Sequence, residues 1–237
     1  MGKGVVDESS SYFLGTAALS DKDYMHDYVK RADLIVNIGH DVVEKPPFFM
    51  EHGGTRVIHI NYKSAQVDQV YFPQIEIVGD IALSVDALAD ALGSKLDLDL
   101  AEFELVRDHV KDKIFQLADE ATFPMQPQNI VAEIRNLMGY HDIIALDNGV
   151  YKIWFARNYL AYQPNTILLD NALATMGAGL PSAMLAAMIY PNRKVMSICG
   201  DGGFMMNSQE IETAVRLNLN MVVLILNDSS YGMIRWK

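Results

Sequence analysis

The chain is poor in cysteine. Cys199 is the only one among 237 residues, so no intrachain disulfide can form. It lies in an apolar run directly before Gly200, a place that suits a small buried side chain better than a reactive thiol. Basic residues are also scarce: 19 Lys and Arg face 30 Asp and Glu, giving a formal charge of −11, and no basic cluster interrupts that balance. A nucleic-acid-binding surface is thereby excluded, since it requires cations to displace the counterions of the phosphates. No apolar run approaches the ~18–20 residues of a membrane span. The opening MGKGVVDESSS lacks the apolar centre of a signal peptide. A cytoplasmic protein with no membrane partner is expected. The G-x-G-x-x-G fingerprint is missing too, as are internal repeats, low-complexity tracts and coiled-coil heptads.

What is present points to a packed α/β protein. Half of the residues are hydrophobic and 21% are charged, so a sizeable core is available, and the length suits two domains. The first twenty residues carry no clear element. Asp23 to Arg31 reads as a helix, and Leu34-Ile35-Val36-Asn37-Ile38-Gly39 as a buried parallel strand ending in glycine. Pro46-Pro47 marks a loop. Strands follow at Arg56 to Asn61 and Ile75 to Val78, then a helix from Ile81 to Leu92 opened by Gly79-Asp80. Leu96 to about Ala121 is charged and helix-favouring, and the domain boundary is placed at Ala121. Pro127 then starts a helix at its favoured first position, with Ile130, Val131, Ile134 and Leu137 on one face. A strand at Ile143 to Leu146, a helix from about Tyr151 to Leu160, a strand near Thr166 to Leu169 and a helix after Pro181 complete the approach to the densest stretch. Repeated strand-then-helix order predicts parallel sheets.

That stretch runs from Lys194 to Met233. The apolar run Val195 to Cys199 ends in Gly200-Asp201-Gly202-Gly203, a helical segment follows, and the run Met221 to Leu226 ends in Asn227-Asp228. A right-handed βαβ crossover brings the carboxyl ends of both strands to one sheet edge. Asp201 and Asp228, 27 positions apart, are therefore expected to be neighbours. Two carboxylates at one edge repel unless a cation lies between them, and hard oxygens beside glycine amides suit Mg²⁺ holding a phosphate or diphosphate. Asn207 with Glu210 three residues later reads as a capping box that starts the crossover helix.

These residues carry a resemblance. The GDG…ND pair resembles the metal and diphosphate signature of thiamine diphosphate enzymes, and GDGGFMMNSQEIETAVRLNLNMVVLILND is most similar to the acetolactate synthase large-subunit group. The resemblance implies an α/β fold of two Rossmann-like three-layer domains with mainly parallel sheets. Residues 1–121 would be the central domain, its first strand missing, and residues 122–237 a truncated cofactor domain. The implied ligands are thiamine diphosphate and Mg²⁺, the metal held by Asp201, Asp228 and the Ser230 carbonyl. Gly200, Gly202 and Gly203 would face the diphosphate, together with Gly149, Val150 and Tyr151, where relatives often carry Gln and His in place of the last two. Met176 would be the apolar wedge that folds the cofactor, the Ala174 carbonyl and Met176 amide would hold the pyrimidine edge, and Tyr231, Gly232 and Met233 would line it.

The loop GHDVVEKPP, Gly39 to Pro47, is similar to that of the flavin-independent catabolic enzymes, so FAD is not expected. The implied reaction joins two molecules of pyruvate into acetolactate with loss of carbon dioxide, a step of branched-chain amino acid biosynthesis, in a homodimer or homotetramer. The family's activating glutamate belongs to a separate N-terminal domain, so this chain is expected to supply no catalytic residue of its own and to be inactive alone. Another thiamine diphosphate decarboxylase or oxidase, or a non-catalytic binding module, stays open as an alternative.

Overall fold

A computed structural model describes residues 2–17, 24–39, 50–93, 98–170 and 173–236. The chain forms two compact units, one of residues 17–110 and one that joins residues 1–16 to 111–237. The sequence places its boundary at Ala121. In the structure the division falls earlier, and the N-terminal segment belongs to the second unit because Lys3 and Glu8 are buried there, at 3% and 2% side-chain exposure. The Lys3 ammonium donates to Glu8 and to the Tyr159 carbonyl at 2.8 Å, while Glu8 accepts from the Ala161 amide at 2.8 Å.

The unit of residues 17–110 contains α1 (Tyr24–Val29), β1 (Leu34–Ile38), β2 (Arg56–Asn61), β3 (Ile75–Val78) and α2 (Ile81–Leu92). Its strands form a parallel sheet in the order β1-β2-β3. Asp80 caps α2 by accepting from the Leu83 amide at 2.9 Å, which gives that helix a sharp start. The buried polar centre is His59, whose Nε2 faces the Lys63 carbonyl at 3.0 Å and must carry the proton. Its Nδ1 then accepts from the Tyr71 hydroxyl at 2.9 Å. Residues 40–47, on which the flavin expectation rests, lie outside the described residues. α3 (Ala101–Phe115) carries the chain from this unit into the other.

The second unit holds α4 (Pro127–Leu137), β4 (Ile143–Leu146), α5 (Val150–Asn158), β5 (Ile167–Leu168), α6 (Gly179–Ile189), β6 (Val195–Gly200), α7 (Asp201–Asn207), α8 (Glu210–Arg216), β7 (Val222–Leu226) and α9 (Gly232–Trp236). The sheet is parallel throughout, ordered β5-β4-β6-β7. Alternation along β4 sorts its side chains between two layers. Ile144 and Leu146 pack with Val131 and Ile134 of α4 and Phe155 of α5, whereas Ile143 and Ala145 meet Ala183, Ala186 and Ala187 of α6.

Three local expectations are corrected. α6 begins at Gly179, two residues before Pro181, so the proline sits inside the first turn, where no intrahelical N–H is needed. Leu137, expected on the buried face of α4, is 63% exposed because the buried stripe runs through Val131, Ile134 and Met138 and leaves Leu137 off to its side. The crossover is two helices, with Asn207 the last residue of α7. α8 begins at Glu210 behind Gln209, without a side-chain cap, so Asn207 starts no helix. No helix among the described residues is long and apolar enough to cross a membrane.

Candidate functional site

The sheet order creates the site. β4 lies between β5 and β6, so the chain leaves β4 to one side and returns on the other, and the carboxyl ends of β4 and β6 open a crevice between diverging loops. The site residues expected from the sequence lie on the segments after β4, β5, β6 and β7, apart from Gly200, which is the last residue of β6.

The acidic pair is set by strand register. Gly200 pairs with Leu226, so Asp201 and Asp228 leave the sheet one and two residues beyond one paired position. Asp201 is half-buried as the first residue of α7, and Asp228 is exposed. Asp228 Oδ1 accepts from the Ser230 amide at 3.1 Å and Asn227 Oδ1 from the Ser229 amide at 2.8 Å, which folds the β7 end into a tight turn. Among the described residues, neither Asp201 nor Asp228 forms an ion pair.

Gly202 brings two other segments to this edge. A β-carbon there would lie 2.8 Å from the Tyr231 ring and 3.1 Å from the Met176 methyl, so only a bare backbone lets the three meet. Beside them lies a cleft of about 420 Å³ lined by Asp201, Gly202, Met205, Met206 and Tyr231. On the β4 side, the Tyr151 ring packs against Gly149 and Gly200, and Val150 packs against Gly232, near the Asp228 carboxylate. The Tyr151 hydroxyl is buried beside the Gly200 backbone without a hydrogen bond of ordinary geometry, and burial raises its pKa above the usual phenol range. Ala174 is exposed, next to Thr175, whose hydroxyl donates to the Met176 carbonyl at 3.0 Å. Met233 is 43% exposed on α9.

The donor set suits the group that the resemblance implies. Two carboxylates outside any ion pair are hard oxygen ligands. Two side-chain carboxylates fill only part of an octahedral shell. Such an arrangement fits Mg²⁺, which keeps water and phosphate oxygens in its shell, better than a closed structural metal centre. The cleft beside Met176 and Tyr231 offers apolar surface next to that charge.

Two side chains act otherwise than their sequence context suggests: Asp147, which opens the corner 147–151 that the resemblance gives to the diphosphate, and Asn207. Asp147, fully buried, accepts from the amides of Asn148 at 2.6 Å, Gly177 at 2.9 Å and Gly179 at 3.1 Å. Asn207, read as a cap, instead donates to the Gly177 carbonyl at 2.6 Å. The one signal in the sequence was an acidic residue directly after the apolar strand IIAL, where burial leaves it dependent on backbone donors.

Comparison with known proteins decides the family. Residues 1–88 match the central domain of thiamine pyrophosphate enzymes, and residues 147–237 match their C-terminal TPP binding domain. The chain belongs to the thiamine pyrophosphate enzymes. Within that family it is 33% identical over 88% of its length to acetolactate synthase of Bacillus subtilis (strain 168), and 32% identical over 98% to the catabolic acetolactate synthase of Raoultella terrigena. It is 28% identical along its whole length to a probable acetolactate synthase large subunit of Methanococcus aeolicus. The chain spans 37–42% of the length of these curated relatives. The match to the cofactor domain covers the segment that carries Asp147, Met176, Asp201 and Asp228.

Proposed function

We propose that this chain is the central and cofactor-binding part of a thiamine diphosphate- and Mg²⁺-dependent carboligase that joins two molecules of pyruvate into 2-acetolactate with loss of carbon dioxide. The observation that carries the reading is the register of β6 with β7, which sends Asp201 and Asp228 off one sheet edge, Asp201 into the cleft at Gly202. Asp201, Asp228 and the Ser230 carbonyl would hold the metal. The backbone at Gly149, Gly200, Gly202 and Gly203 would take the diphosphate. Ala174 and Met176 would hold the ring end, lined by Tyr231, Gly232 and Met233, while Val150 and Tyr151 contribute by packing against Gly232 and Gly200. When bound, thiamine diphosphate supplies a nucleophilic carbon and an electron sink for decarboxylation. The protein orients it and excludes water.

Likeness to the acetolactate synthases supports pyruvate as the substrate; a cytoplasmic location and a homodimeric or homotetrameric enzyme belong to the same proposal. The apolar rim of the cleft supports an assembly as well. Met205, Met206 and Tyr231 are 69%, 52% and 59% exposed, the kind of surface that further polypeptide covers.

Titration calorimetry with Mg²⁺ and thiamine diphosphate tests the reading. Binding at micromolar concentrations that disappears in Asp201→Ala is expected. A wild-type chain that binds nothing, or an Asp201→Ala chain that binds as well as wild type, overturns it.

A further inference from the structure

We infer that Asp147, Asn148 and Asn207 form a three-point mount whose task is to hold Met176 in place, making them positioning residues for the ring end of the cofactor. The inference rests on the cofactor reading above and deepens it. Met176 lies on a segment with no helix or strand of its own, between Leu173, which is 90% exposed, and the start of α6. Nothing in its local sequence would keep such a segment in one conformation. The bonds on its two flanks do.

The Asn148 side-chain amide donates to the Thr175 carbonyl, immediately before Met176. Immediately after it, the Gly177 amide donates to both oxygens of Asp147 at 2.9 Å, and the Gly177 carbonyl accepts from Asn207 at 2.6 Å. Both backbone polar groups of this one residue, on the two peptide units that meet at its α-carbon, are thus engaged by side chains from two different strand-end segments, after β4 and after β6. Gly177 has φ +90°, a conformation that a side chain strains, and a β-carbon there would meet the Asn207 amide at 2.8 Å. The turn therefore requires glycine for its shape as well as for the approach of its fastener.

Asp147 also sets the distance between the two halves of the site. Its carboxylate would lie 2.8 Å from a β-carbon at Gly203, on the segment proposed to take the diphosphate, while it grips the turn behind Met176. One buried side chain spans the ring-side and phosphate-side segments. Its charge is met by amides alone among the described residues, an arrangement that suits an anion held by oriented dipoles. The three side chains touch the backbone around Met176. They act through it.

The mount acts on the ring end, so it separates two probes that a general loss of folding would weaken alike. Calorimetry is done on the full chain with Mg²⁺ plus thiamine diphosphate and with Mg²⁺ plus inorganic diphosphate, for wild type, Asp147→Asn and Asn207→Ala. Amide hydrogen exchange at Gly177 is followed in all three. Asp147→Asn keeps the side-chain volume against Gly203 but turns an acceptor into a donor. Both variants should bind thiamine diphosphate about 10-fold or more weakly and exchange the Gly177 amide faster; Asn207→Ala should bind inorganic diphosphate as wild type does, and Asp147→Asn, whose side chain also lies against Gly203, should lose less affinity for inorganic diphosphate than for thiamine diphosphate. Unchanged thiamine diphosphate affinity in both, or equal losses for the two probes, overturns the inference. If Asp147→Asn fails to fold, Asn207→Ala decides alone. If wild type binds neither probe, the cofactor reading is what fails, and Gly177 exchange that matches wild type in the variants still overturns the mount.

Discussion

A β-carbon at Gly179 would lie 2.8 Å from both the backbone nitrogen and the β-carbon of Asp147. The first residue of α6 is therefore pressed against the end of β4, and neither neighbour is a flexible side-chain tip that could swing away. This contact lets the Gly179 amide reach the Asp147 carboxylate at 3.1 Å.

Gly179→Ala is expected to destabilise the second unit by about 1–3 kcal/mol through overpacking. The helix preference of alanine works in the other direction, by about 1 kcal/mol, and is the smaller effect. Urea unfolding followed by Trp154 fluorescence measures the balance. A midpoint at or above that of wild type would show that the strand end yields.

The buried Lys3–Glu8 pair yields a second expectation. Removing one partner strands the other charge, a loss of about 3–5 kcal/mol when a buried pair is broken. Burial lowers the Lys3 pKa, and the neighbouring Glu8 offsets part of that shift. Lys3→Met and Glu8→Gln should each loosen residues 1–16, seen as faster proteolysis near the N-terminus and loss of exchange protection at the Ala161 amide, which Glu8 accepts. Lys3→Met combined with Glu8→Gln should cost less than the two single changes added together. Strict additivity would mean that the pair does not act as a unit.

Cys199 makes stability depend on alkaline pH. Burial pushes its thiol up to about 11 from an ordinary 9.0, with the Ser197 hydroxyl partly opposing the shift. The unfolded chain loses this proton first. The stabilisation is therefore complete below pH 9 and is lost as pH rises towards 11, by up to about 3 kcal/mol for a shift of two units. Cys199→Ala should flatten the fall in unfolding free energy between pH 8.5 and 10.5, as read from denaturant melts at each pH. An equally steep fall in the variant would assign the pH dependence to other groups.

The acidic pair was legible because everything that places it is local. Val195 to Gly200 and Val222 to Leu226 are apolar runs of strand length separated by one crossover, and such a connection sends both strand ends to one edge. Asp80 was equally legible as a helix start, since a cap needs only its own next three residues. Asn207 was misread by the same logic. Its spacing to Glu210 satisfies a capping box, but it closes α7 rather than opening α8, and its side-chain amide is free to serve a distant carbonyl. Leu137 fits the apolar face of α4 by periodicity, yet the buried stripe of that helix passes through Val131, Ile134 and Met138 and leaves Leu137 outside it.

The sequence by itself determined the parallel α/β elements, their order and the acidic strand ends, because hydrophobic period, proline and capping chemistry act over a few residues. Only the tertiary structure decided which polar side chains fasten Met176. Asp147 and Asn207 each reach Gly177 across 30 positions of chain, one forwards and one backwards. No local pattern encodes such a bond. It exists because burial at the end of β4 leaves Asp147 with no water to meet its charge, and backbone amides brought there by the fold take that place.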